Sequence, residues 1–131
     1  MRIRRSLSIF GIAATALMGV ALASGTASAS SGGGCGIAFE GGITACISAS
    51  GNQVNYDIYV PSIPPGCEDI ALTILDDDSR KGDTPHVGCR TGHFSFSVAG
   101  INGHRYHSFA TVWIPSGPVV SPPSPELVFS D

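Results

Sequence analysis

The run 103–114, GHRYHSFATVWI, narrows more than any other stretch what this chain can fold into. Tyr106, Ser108, Ala110, Val112 and Ile114 alternate with Arg105, His107, Phe109, Thr111 and Trp113. A period of two over aromatic and β-branched residues is a strand pattern, because successive side chains of a strand point to opposite faces. Phe94, Phe96 and Val98 alternate in the same way just upstream, and Ala99-Gly100-Ile101-Asn102-Gly103 supplies a turn. The pattern predicts the central strand of an antiparallel β domain, with Tyr106 pointing inward and Trp113, of opposite parity, pointing out.

The chain begins with Met1-Arg2-Ile3-Arg4-Arg5, continues through a mostly apolar run over 9–23, and then offers Ala27-Ser28-Ala29. These features in this order are those of a secretory signal peptide cleaved after Ala29. The apolar run, interrupted by Thr15 and Gly19, is shorter than the ~20 residues of a spanning helix. The expected mature protein is therefore secreted and extracellular. It keeps Arg80, Lys81, Arg90 and Arg105 against all ten carboxylates, a net charge of −6 with His neutral. Such a surface repels phosphate backbones and anionic lipid, so neither nucleic acid nor membrane is an expected partner.

Cys35, Cys46, Cys67 and Cys89 all lie in the mature part. An even count in a small exported chain points to two disulfides, and no close Cys-x-x-Cys pair argues for zinc. A turn at Glu40-Gly41 sets Phe39 against Gly42 and, counting outward, Cys35 against Cys46. The midpoint of Cys67 and Cys89 is residue 78, inside the polar run 76–83, so this pair also spans a hairpin. The expected bridges are Cys35–Cys46 and Cys67–Cys89.

Residues 30–34, SSGGG, read as a flexible leader. Residues 36–40 and 43–49 read as two short strands around Glu40-Gly41-Gly42. Val54, Tyr56, Ile58 and Val60 alternate with polar neighbours until Pro61, Pro64, Pro65 and Gly66 end the strand. Ile70, Leu72 and Ile74 alternate with Ala71, Thr73 and Leu75, apolar on both faces as a strand inside a sheet requires. A weaker strand is expected over 84–90, a proline-rich loop over 115–125, and a last strand around Leu127 and Phe129. Nothing has the spacing of an amphipathic helix. The expected fold is all-β: one antiparallel β-sandwich of seven or eight short strands spanning 35–131.

The C-terminal run HFSFSVAGINGHRYHSFATVWIPSG, followed by SPPSPELVFS, resembles a fibronectin type III or similar immunoglobulin-like domain. The resemblance implies that Phe94, Phe96 and Val98 form the family's E strand and that Ile101 stands where its turn leucine does. Tyr106 then matches the tyrosine opening strand F, and 127–129 would be strand G. The first half departs from this pattern, with no tryptophan in the strand over 54–60 and four cysteines where the family norm is none. The whole is also similar to small, disulfide-bonded secreted proteins of the actinobacterial type.

With Tyr106, Ala110 and Val112 facing the core, His107, Phe109 and Trp113 fall on the outer face, beside Thr73 and Leu75. An aromatic stripe on an outer face marks a contact surface, and Pro115 and Pro118 of the adjoining loop complete the candidate binding set. The competing expectation is that 115–125 folds back over the stripe and buries it. His104 and His107, three apart on a strand, face opposite ways and do not share an ion. Asp76-Asp77-Asp78, with Asp83, lacks the alternating spacing and glycine of a calcium loop and reads as a solvated hairpin tip. No metal or cofactor is expected. No nucleophile elbow, His-Glu-x-x-His or phosphate loop is present, so no enzyme is expected. The expected function is that of a monomeric, non-enzymatic binding module for an extracellular protein or polysaccharide. The alternatives are an inhibitor of an extracellular hydrolase, presenting 61–66 and 115–125, and a structural component of the cell surface.

Overall fold

In the long strands, the alternation read from the sequence becomes alternation of burial. The computed structural model describes residues 29–131, so all of the expected signal peptide 1–29 except Ala29 lies outside the described residues. Strands β1 (Ser31–Gly32), β2 (Gly34–Cys35), β3 (Thr44–Ser50), β4 (Gln53–Val60) and β5 (Asp69–Asp76) lead into β6 (Lys81–Asp83), β7 (Gly92–Ala99), β8 (Arg105–Ile114), β9 (Gly117–Val120) and β10 (Leu127–Val128). One antiparallel sheet has the order β2-β3-β4-β7, and the other runs β1-β10-β8-β5-β6 with β9 also on β8. Val54, Tyr56, Ile58 and Val60 of β4 meet Ile70, Leu72 and Ile74 of β5 and Tyr106, Ala110 and Val112 of β8 in one core, closed by Leu127 and Phe129. Gly100 lies so close to the Phe129 ring that a methyl group there would overlap it.

The β-sandwich and both disulfides are as the sequence implied: Cys35–Cys46 and Cys67–Cys89, with Cα separations of 4.0 and 6.0 Å. Among the described residues ten strands replace the expected seven or eight, because short edge pairings carry no alternation to read. Residues 30–34 are not a free leader. Ser31 and Gly32 pair with Val128 and Leu127, and Gly34 pairs with Ile47. Cys35 stands opposite Cys46, but Phe39 pairs with Ile43 rather than Gly42. Glu40, Gly41 and Gly42 all take positive φ (40°, 83° and 97°) and make a three-residue turn, and the register shifts by one residue between Phe39 and Cys35. Residues 36–40 therefore form no continuous strand. The return from β5 also begins earlier than expected, with Lys81, Gly82 and Asp83 paired to Asp76, Leu75 and Ile74. Residues 84–90 add only the Ala71–His86 bridge and backbone bonds beside Ile70 and Leu72.

The larger correction concerns the proline-rich segment. Gly117–Val120 is a strand on β8, with Pro118 opposite Trp113. Beyond it, Ser121 N–H donates to Ala110 C=O (2.8 Å) and Ser121 Oγ accepts from Ala110 N–H (2.9 Å). Ser124 does the same with Ser108, at 2.7 and 2.9 Å. Two serines thus supply donor and acceptor while Pro122-Pro123 bulges between them. The segment lies in the plane of the sheet as an edge.

Replacing Ser121 and Ser124 together by Ala leaves two buried N–H groups of β8 unpaired and is expected to lower stability by about 2–4 kcal/mol in urea denaturation. An unchanged midpoint would mean that the edge closes without them. Replacing Cys67 and Cys89 by Ala should cost about 3 kcal/mol, as should the Cys35/Cys46 pair, measured the same way.

Candidate functional site

β5 and β8 lie side by side in antiparallel register, so their outward residues form rows. Trp113 pairs with Asp69, Thr111 with Ala71, Phe109 with Thr73 and His107 with Leu75. Two ring pairs tile this face. The His86 imidazole stacks on Trp113 with centroids 5.5 Å apart, and His107 stacks on Phe109 at 6.0 Å. Each imidazole is fixed from its other side by a carboxylate. His86 Nδ1 is 2.5 Å from Asp69 Oδ2, and His107 Nδ1 lies 2.9 and 3.0 Å from the two Asp77 oxygens. Trp113, Phe109 and His107 are each half-buried, by one another and by His86, while Pro115 and Pro118 are exposed at the adjoining turn and edge. Because 115–125 runs beside β8 and not across it, the expectation that this loop covers the stripe fails.

The sequence pattern assigns none of His86, Asp69 and Asp77 to this face. Nothing local marks them; His86 reaches Trp113 only because the chain returns along β5 after the β5–β6 hairpin. The resulting surface offers flat indole and phenyl faces beside oriented imidazoles and carboxylates. That combination suits stacking against sugar rings or apolar side chains, with hydrogen bonds at the margin.

Three other clusters bring polar or titratable side chains together. On the outer face of β4 and β7, Asp57 Oδ2 and Ser95 Oγ approach the same nitrogen, His93 Nε2, at 3.0 and 3.3 Å. A Ser-His-Asp relay needs the two groups on different ring nitrogens, so this trio is no such relay. At the β5 end, Asp76, Asp78 and His104 each bring a ligand atom within 4.8 Å of the others. Those atoms are already engaged: Asp76 accepts from Asp78 N–H, Ser79 N–H and His104 Nδ1, and Arg105 takes Asp78. Asp76 is also buried, so the expected solvated tip is in part a polar plug. Third, Ile74, Val98, Ala99, Ile101 and Tyr106 line a cleft of about 190 Å³ between β6 and β7, with Asp76, Lys81 and Asp83 also on its walls. Beside it, burial and the Asp83 carboxylate push the Tyr56 phenol up to about 12.

No protein-family model matches this chain, and no curated protein matches it.

Burial alone would raise the pKa of Asp76, but the His104 imidazole and the N–H groups of Ser79 and Asp78 outweigh it and hold the group at about 2, against an ordinary 3.8. A folded-state pKa below the unfolded one stabilises the fold above the unfolded value, and that contribution is lost as pH falls through the folded one. The acid limb owed to Asp76 thus lies between about pH 4 and 2. Asp76→Asn should flatten that limb in urea melts taken across the range and cost about 1–3 kcal/mol at pH 7. An acid limb as steep as the native one would remove Asp76 from that role.

Proposed function

We propose that this chain is a secreted, non-enzymatic binding module whose contact surface is the outer face of β5 and β8. One observation carries the reading: Trp113, Phe109, His107 and His86 form an aromatic row that the neighbouring proline-rich segment leaves uncovered. Soluble proteins seldom array such groups on an outer face without use. Secretion is supported by the leader pattern and by two disulfides. Among the described residues no helix is long and apolar enough to cross a membrane.

The fibronectin type III or immunoglobulin-like resemblance draws support from the way the strands divide between sheets. β3, β4 and β7 stand where A, B and E would, and β6, β5, β8 and β10 where C′, C, F and G would. Tyr106 Oη accepts the Ile101 N–H at 3.0 Å, a bond back to the preceding turn of the kind that tyrosine corners make. Ile101 itself is 49% exposed, unlike a packed turn leucine.

The inhibitor alternative keeps one favourable observation. Ile63 projects from the loop 61–66, which is pinned by buried Pro64, by Cys67 N–H to Pro64 C=O at 3.2 Å and by Ser62 Oγ to Gly41 C=O at 2.8 Å. A stiff loop of this kind loses little entropy on entering a cleft.

Trp113 is the only tryptophan, so its fluorescence reports directly on the proposed surface. Titration with soluble oligosaccharides and with fractions of secreted protein should shift the emission. Trp113→Ala with Phe109→Ala should weaken retention on the responding polymer at least ~tenfold while leaving the far-UV CD spectrum unchanged. Retention equal to that of the native protein would end this reading, and inhibition of a hydrolase abolished by Ile63→Asp would install the alternative.

A further inference from the structure

Among the described residues, β7 is the one long edge without a device against pairing. The β6 edge is three residues long and carries Lys81 and Asp83; the β9 edge holds Pro118; β1 and β2 are two residues each. β7 runs for eight residues, GHFSFSVA, with no proline, lysine, arginine or carboxylate. Natural sheets blunt such edges with charge, proline or shortness, because an open row of N–H and C=O groups is a template for another strand.

The direction of those free groups follows from the ladder. Gly100 N–H donates to Asn52 C=O, and the register pairs Val98 with Val54, Phe96 with Tyr56 and Phe94 with Ile58. Antiparallel ladders alternate hydrogen-bonded and non-hydrogen-bonded pairs. The even-numbered residues of β7 therefore bond to β4, and His93, Ser95, Ser97 and Ala99 turn their N–H and C=O groups outward. The inner face of the strand is also incomplete: Phe94, Phe96 and Val98 pack against the core yet stay half-exposed.

We infer that β7 is a homodimer interface, paired antiparallel with β7 of a second copy of this chain across a two-fold axis. The edge complements itself. In the register that opposes all four outward residues, Phe96 faces Phe96, Phe94 faces Val98, Ser95 faces Ser97 and His93 faces Ala99. Apolar residues then meet on the inner side, small polar ones on the outer side, and the four outward residues of each copy bond to each other. Charge complementarity points to the same occupant. Arg90, whose guanidinium lies 4.6 Å from the Phe94 ring centroid, sits just before the start of β7, and the cleft bearing Asp76 and Asp83 sits beside its end. Antiparallel pairing brings Arg90 of each copy toward the cleft of the other, where Asp76 and Asp83 outnumber the one cation, Lys81. This inference does not depend on the aromatic face of β5 and β8, which belongs to the other sheet.

Sedimentation equilibrium of the mature chain should show a monomer–dimer equilibrium with a micromolar dissociation constant. Ser97→Pro removes an N–H that β4 does not use, and Ser95→Lys adds a charge to the outer side; each should weaken the dimer at least ~tenfold. If Ser97→Pro fails to fold, Ser95→Lys decides. Amide exchange gives a second readout: in the native protein the amides of His93, Ser95, Ser97 and Ala99 should become protected as concentration rises, while those of Phe94, Phe96 and Val98 are protected throughout. A chain that stays monomeric up to about 0.5 mM overturns the inference. So does a dimer in which those four amides still exchange freely, or one that both variants leave intact.

Discussion

Strand β8 is hydrogen-bonded along both edges, and the rest of the molecule is arranged to make that possible. On one side β5 pairs with it from Tyr106 to Trp113. On the other, three different pieces share the work: β10 at Arg105 and Tyr106, the Ser124 and Ser121 bonds at Ser108 and Ala110, and β9 from Thr111 onward. A buried backbone N–H without a partner costs about 1–3 kcal/mol, so a gap anywhere along this edge would be felt. The two serines fill the one place where prolines interrupt the ladder. Their role follows from the prolines, which lack the N–H that an ordinary edge strand would give.

The core tolerates polar groups where each has a defined partner. Ser108 is fully buried on the inner face of β8, and its Oγ donates to Cys46 C=O of the opposite sheet at 2.9 Å. This bond joins the sheets near the Cys35–Cys46 bridge. Asp76 works similarly at the end of β5, where one carboxylate orders the turn that follows and holds His104. All four histidines of the chain make such a contact with an aspartate. Two of them, His86 and His107, are held in the orientation that lets them stack on Trp113 and Phe109.

What could be read from the sequence was what repeats locally. Period-two alternation placed β4, β5, β7 and β8 and assigned Tyr106 to the core, and counting from two turns paired the cysteines. The strands that escaped notice are those whose information is elsewhere. β1 and β2 are glycine-rich pairs defined by the partner they meet, and β9 carries a proline that argues against a strand unless the strand is an edge. For the aromatic face, parity alone put Trp113, Phe109 and His107 together on one side. It carried no sign of His86, which is 27 positions away from Trp113 in sequence and arrives through the path of the chain after β6. Nor did it show that 115–125 lies beside the face, because that outcome rests on Ser121 and Ser124 finding backbone partners on β8.

The edge of β7 and the aromatic face of β8 belong to different sheets, yet their geometries are linked. When two copies pair through β7 with like faces on the same side, the two-fold axis stands perpendicular to the shared sheet. The second sheets of both copies then lie on one side of it, and their outer faces point the same way. A soluble partner meets two separate aromatic surfaces in such an assembly. An extended polymer or a wall meets both at once, and the second contact forms at the high effective concentration set by the first. On the proposed reading, two modest, half-buried surfaces would then hold a polymer that neither would retain alone, which ties an open edge on one sheet to the proposed contact surface on the other.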